Sequence, residues 1–212
     1  MEKIIIIGAG GHAKTVVDTI ERGHCFEIAG FLAEGRVGER VYKNYTILGA
    51  DNIAKTIFSM GISKACMAIG FMGKSSIREK LCCQYKKMGF DFPAIIDPSA
   101  IVASDVMIGE GTYIGRCVVV NANSSIGDFC ILNTGCIVEH ECKVGKYSHV
   151  SIGAVICGQS VIGERTFIGA NATVIQCLTI GNDCIVGAGT VVIRNIEERK
   201  TMVGNPAKEI RE

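Results

Sequence analysis

From Ile96 onward an aliphatic residue returns at every sixth position: Val102, Ile108, Ile114, Val120, Ile126, Leu132, Val138, Val144, Val150, Ile156, Ile162, Ile168, Val174, Ile180, Val186 and Val192. All seventeen positions of this column are aliphatic. With roughly a third of residues aliphatic in an ordinary chain, chance does not produce such a run. A period of six fits neither the 3.6 of a helix nor the 2 of a simple strand. It is the period of a parallel β-helix, in which very short strands stack coil upon coil and one column faces the axis. Three hexads close a triangular coil of about 18 residues, which gives roughly five coils between 96 and 192.

Two neighbouring columns support this reading. Gly follows the aliphatic residue at 109, 115, 127, 145, 163, 169, 181 and 187, which suits a turn or a backbone that packs closely. Two positions before the aliphatic residue stand modest side chains, among them Ala100, Val106, Thr112, Ser124, Cys130, Cys136, Cys142, Ser148, Ala154, Thr166, Ala172 and Cys184. This accounts for an otherwise odd composition of 26 Gly, 11 Cys, no Trp and 6% aromatic residues. The cysteines are odd in number, lack paired C-x-x-C spacing and include one vicinal pair, Cys82-Cys83, so they read as reduced, mostly buried thiols rather than a disulfide framework.

Before residue 96 the pattern differs in kind. Ile4 to Ile7 is an apolar run expected in a strand buried on both faces. A helix is expected over 13–22 with Val16, Val17 and Ile20 inward and Gly23 at its end. There follow strands over 26–32 and 65–69, a helix over 52–60 capped by Asp51, a helix over 75–88 ended by Gly89, and a short strand over 91–96. The chain thus reads as a small Rossmann-like α/β domain over 1–95 joined to a β-helix domain over 96–212. Gly8-Ala9-Gly10-Gly11-His12-Ala13 follows a strand and opens a helix, so its N–H groups are placed to cradle a phosphate. It formally fits G-x-G-x-x-A, but 95 residues are too few for both halves of a nicotinamide-binding domain.

Lys and Arg number 22 against 21 Asp and Glu, a net charge of +1, which leaves no footprint for nucleic acid or an anionic membrane surface. Four apolar residues before Gly8 make neither a secretory nor a spanning segment, and a cytoplasmic protein is expected.

Groups able to move a proton are few, since the chain has four His and two of them, His12 and His24, precede the repeat. His140 lies two residues after an inward aliphatic, at a coil corner, with Glu141 next to it. A carboxylate beside an imidazole orients it and makes it more basic, as a general base at neutral pH requires. The alternative is a solvated corner residue. His149 reads as a surface residue or a ligand contact. Cys136 and Cys142 lie near His140 in sequence but occupy the inward column, so they read as packing rather than as nucleophiles. A zinc hydrolase use of the β-helix needs three His around the metal at a subunit boundary, and this repeat holds only two. A non-catalytic scaffold gives no reason for Glu139-His140-Glu141.

Together these features resemble the hexapeptide-repeat acyltransferases, and the opening Ile-Gly-Ala-Gly-Gly-His loop narrows the resemblance. It is similar to the sialic acid O-acetyltransferase family and its relatives that N-acetylate nucleotide-linked 4-amino sugars. The segment Val203-Gly204-Asn205-Pro206-Ala207 is similar to the one that closes these enzymes near the coenzyme A site. The resemblance implies a left-handed β-helix, a homotrimer, and direct transfer from acetyl-CoA to an amine or hydroxyl, without a metal, in surface glycan synthesis. It implies His140 as the base, with Glu141 raising its basicity. It further implies His149 and the main chain of Gly158, Ala170 and Ala188 along one acetyl-CoA cleft, with the Gly158 N–H at the oxyanion. Gly10, Gly11, His12, Glu34 and Gly70 would hold the nucleotide-sugar acceptor. Two departures fall in the acceptor region: Ala33-Glu34 stands where the family carries an acidic pair, and Gly70-Phe71-Met72 where it often has Gly-Asn-Asn.

Overall fold

A computed structural model describes residues 1–73 and 77–210, which divide into two compact units. The first comprises residues up to Gly70 and from Ile77 to Pro98; the second begins at Ser99 and includes Phe71 to Gly73.

The first unit is built on β1 (Lys3–Ile7), α1 (Gly11–Gly23), β2 (Glu27–Leu32), β3 (Arg40–Tyr42), β4 (Tyr45–Gly49), α2 (Ala54–Ser59), β5 (Lys64–Met67) and α3 (Ile77–Lys87). The sheet order is β3-β4-β2-β1-β5, parallel throughout except for β3. The central β1 buries Ile4 to Ile7 completely, and α1 lays Val16, Val17 and Ile20 against the sheet. One local expectation holds and two are corrected. Helix α1 ends at Gly23 as expected, with His24 in the left-handed conformation, φ 49°, just after it. Asp51 caps no helix: it opens a 3-10 turn, Asp51–Ile53, and its Oδ1 accepts from Tyr85 Oη at 2.5 Å. The strand expected over 91–96 shrinks to Ile95–Ile96 and a single bridge at Asp91, because Pro93 has no N–H to give a ladder. Residues 75 and 76, the expected start of the last helix, lie outside the described residues.

In the second unit, two-residue strands recur every six residues from Ile101–Val102 to Val191–Val192, and those up to Thr173–Val174 each pair in parallel with the strand 18 residues on. Three ladders result, running through Ile101, Met107 and Tyr113, and they form the three faces of a prism. The aliphatic column fills the axis: Ile114, Leu132, Val138, Val150, Ile156, Ile168, Val174, Ile180 and Val186 are fully buried. Ile96, placed at the head of that column by its spacing, is 39% exposed, so the inward column starts later than expected.

The small-residue column is also buried, and its polar members are satisfied in a repeating way. Ser148 Oγ donates to the Gly163 carbonyl (2.6 Å) and accepts from the Thr166 N–H (3.0 Å); Thr166 Oγ1 donates to Gly181 and accepts from Cys184. Cys130, Cys142 and Cys184 take the same place, each thiol donating to a carbonyl in the next coil. A thiol therefore fills the corner and caps a backbone oxygen, which an alanine cannot do.

The glycines after the aliphatic column serve close approach rather than the turn. A Cβ at Gly127 or Gly145 would sit 2.6 Å from the backbone nitrogen of Lys146 or Glu164 in the next coil. The turn itself is carried two positions later by residues with positive φ, among them Asn123, Gly135, Glu141, Gln159 and Cys177.

Candidate active site

His140 and Glu141 occupy the corner that follows strand Ile137–Val138. The corner backbone is pinned on both sides: Glu141 N–H donates to Ala122 O, and Gln159 N–H donates to His140 O, both at 2.9 Å. The two side chains turn outward, 57% and 46% exposed, and meet at 3.1 Å between Nδ1 and Oε2. With Nδ1–H donating to the carboxylate, Nε2 is the nitrogen able to accept a proton.

Eighteen residues on, Gly158 lies directly under the ring. A Cβ there would be 2.6 Å from His140 Nε2 and 2.7 Å from Cε1, so only glycine lets the imidazole rest over the Gly158 main chain. The next residue, Gln159, donates from Nε2 to the same Oε2 of Glu141 at 3.0 Å. Its Oε1 accepts from Cys177 Sγ at 3.3 Å. The Gln159 amide and the His140 ring both hold the Glu141 carboxyl below the usual carboxylate range, so it is ionised as the pair requires. The local residue pattern does not single out Gln159, but counting one 18-residue coil from Glu141 finds it.

The other residues assigned to acetyl-CoA are distributed differently. His149 is 7% exposed rather than on the surface: Nδ1 lies 2.6 Å from the Phe71 carbonyl, Nε2 faces Asn133 Nδ2 at 3.4 Å, and the ring meets Phe167 edge-on. Both nitrogens are engaged, and His149 ties the Phe71 segment to the β-helix. Ala170 and Ala188 stack one coil apart, but on another corner of the prism from Gly158. The twelve residues from 158 to 170 are two thirds of a coil, so Gly158 and the two alanines stand on different corners of a single chain.

In the first unit, Gly10 and Gly11 stand at the N-terminus of α1, and a Cβ at either, or at Gly70, would meet nothing within 4 Å. The chain itself therefore does not demand glycine there, whereas Gly8, φ 97°, would clash with Ile69 at 2.6 Å. A cleft of about 270 Å3 opens beyond the carboxyl ends of β1 and β2, lined by Gly8, Ala33, Glu34, Asp51 and Ile69 among others. This is where parallel sheets of this kind take their ligands. Glu34 is exposed on its rim and His12 is half-buried in the first turn of α1.

Residues 3–85 match the PglD N-terminal domain, and residues 159–194 match the bacterial transferase hexapeptide (six repeats). GDP-perosamine N-acetyltransferase from Caulobacter crescentus is 34% identical, covers 100% of this chain and 98% of its own, and superposes with a TM-score of 0.93. The chain belongs to the hexapeptide-repeat amino-sugar N-acetyltransferase family. The Caulobacter enzyme has been solved with CoA and GDP-perosamine as a histidine-to-alanine mutant. The acetyltransferase domain of PglB from Neisseria gonorrhoeae, solved with acetyl-CoA, is 31% identical over 99% of both chains with a TM-score of 0.91.

This family member is therefore an acyltransferase, and its prism is the left-handed parallel β-helix of those enzymes. A protein of Acanthamoeba polyphaga mimivirus, L142, is 29% identical over 130 residues; the matched part is 24% of its length. Among the described residues of the acyltransferase, no group of three or more His, Cys, Asp or Glu is arranged to hold a metal, and no helix is long and apolar enough to cross a membrane.

Proposed function

We propose that this acyltransferase moves the acetyl group of acetyl-CoA to the amine of a nucleotide-linked 4-amino-4-deoxy sugar, UDP- or GDP-bound, in the synthesis of a surface glycan. The observation that carries the reading is the His140–Glu141 pair at 3.1 Å, seated over the main chain of Gly158. In the proposed reaction the amine lone pair attacks the thioester carbonyl while His140 Nε2 removes the proton from nitrogen. The Gly158 N–H stabilises the oxyanion, and collapse expels the CoA thiolate, which takes the proton back from the imidazolium. Glu141 holds the ring in the required tautomer and offsets its transient charge. No acyl-enzyme is formed, in keeping with Cys136 and Cys142 being fully buried.

The acceptor nucleotide would be held by the first unit, its phosphates at Gly10, Gly11 and His12 on the N-terminus of α1. Glu34 and Gly70 would complete that contact. Acetyl-CoA would run along the main chain of Gly158, Ala170 and Ala188, with His149 shaping the sheet behind the last two. Because these residues lie on two corners of one prism, a cleft formed by two neighbouring copies accommodates them, which supports a homotrimer.

The experiment is to mix the protein with acetyl-CoA and a panel of UDP- and GDP-linked 4-amino sugars and to follow thiol release. Turnover of at least one amine well above that of the His140→Ala protein is expected. If none exceeds it, amine acetylation is wrong, and turnover of sialic acid or a related sugar hydroxyl in the same assay would move the reading to O-acetylation.

A further inference from the structure

The base pair is part of a longer chain of hydrogen bonds that runs along one edge of the prism. Glu141, Gln159 and Cys177 are spaced by one coil each, and all three have positive φ (59°, 62° and 61°), so their Cβ atoms project from the corner in register. Cys177 Sγ–H donates to Gln159 Oε1 (3.3 Å), Gln159 Nε2 donates to Glu141 Oε2 (3.0 Å), and that same oxygen accepts from His140 Nδ1 (3.1 Å). The acceptor-only Glu141 carboxylate decides which way the amide faces: Nε2 is turned to it, and Oε1 is left toward the Cys177 thiol, which donates to it.

An exposed glutamate side chain has three rotatable bonds, and one contact to a histidine does not fix it. A second donor on the same oxygen does, since it selects the rotamer in which Oε2 points at Nδ1. The Gln159 side chain bonds to Glu141 and Cys177 and not to the His140 ring. We propose that Gln159 is a positioning residue for acetyl transfer: through its amide it holds the Glu141 carboxylate against His140, while Cys177 caps the amide oxygen. The inference rests on the reading of His140 and Glu141 given above.

The test is a double-mutant cycle in kcat. Gln159→Ala removes the donor. Gln159→Asn keeps an amide tolerant of positive φ but is one methylene too short to reach Glu141. Both are expected to lower kcat about tenfold, the order for a lost hydrogen bond to a charged group, while KM for acetyl-CoA and for the acceptor stays within about twofold. In a Glu141→Ala background, itself slow, the same substitutions are expected to change kcat by less than about twofold, because the group they act through is gone. Melting curves of each variant separate this from a loss of fold. An equal loss in both backgrounds, or no loss in the otherwise native protein, overturns the inference. If Glu141→Ala retains the native kcat, the failure lies in the reading of the His–Glu pair, and the positioning role falls with it.

Discussion

Gly158→Ala is the most incisive single substitution at this corner. The added methyl carbon would stand 2.6 Å from His140 Nε2 and 2.7 Å from Cε1, where ordinary contact begins at 3.4 Å. Restoring contact from 2.6 to 3.4 Å moves the ring by about 0.8 Å. The imidazole is the part that gives way, because it is 57% exposed whereas the Gly158 carbonyl is held by the Cys177 N–H in the neighbouring coil. Rotation of the ring lengthens the 3.1 Å contact to Glu141 and takes Nε2 off the amine it must deprotonate. A misplacement of this size costs about 100-fold in kcat, or about 2.7 kcal/mol in the barrier. The backbone N–H of residue 158 survives the substitution, so the loss reports the ring and not the oxyanion donor. The assay is steady-state thiol release with saturating acceptor, beside a melting curve that should stay within a few degrees of the native protein. A Gly158→Ala enzyme within threefold of the native kcat, alongside an inactive His140→Ala enzyme, would refute the reasoning.

Three further outcomes are expected. Gly163→Ala places a Cβ 2.5 Å from the Gly181 carbonyl carbon, backbone that cannot move aside, and should cost about 2 kcal/mol, read as a fall of about 4–8 °C in Tm. Gly135→Ala, which meets nothing within 4 Å and bears only the strain of positive φ, should cost about 1 kcal/mol and lower Tm by less than Gly163→Ala does. In native protein a thiol reagent should modify Cys25, Cys83, Cys117 and Cys177 first and reach the buried Cys66, Cys82, Cys130, Cys136, Cys142 and Cys184 only on unfolding. Burial pushes the Cys66 and Cys136 thiols up to about 12, and rapid native labelling of either would contradict their packing role. Because the folded state depresses the Glu141 carboxyl, its contribution to stability is present above about pH 4.3 and is lost as pH falls through the lower folded value. Between about pH 5 and pH 3, Tm should therefore drop more steeply in the native protein than in Glu141→Gln; parallel curves would count against the pairing.

The departures from the sequence reading have particular causes. The hairpin of β3 and β4 has no strand signature because five of its seven central residues, Arg40, Tyr42, Lys43, Asn44 and Tyr45, are charged, amide-bearing or tyrosine in place of an apolar alternation, and its two strands are joined by only Lys43 and Asn44. Asp51 looks like a cap because Asn52 and an apolar pattern follow it, yet the hydroxyl of Tyr85, 34 residues away, takes its carboxylate. His149 looks like a surface residue because hexad spacing says only that it precedes an inward valine. Burial comes from the Phe71 carbonyl that closes over its Nδ1.

The amino-acid order alone determines the β-helix, because a period of six puts a continuous aliphatic column on one axis, and it places His140 beside Glu141 because that adjacency is covalent. Tertiary structure alone decides which groups meet that pair. Stacking of coils sets Gly158 under the imidazole and Gln159 against the carboxylate, and the same rotation of the prism carries Ala170 and Ala188 to another corner. Hydrogen bonds and steric contacts between coils depend on side-chain direction and on an ångström of separation, quantities that spacing in a chain does not carry.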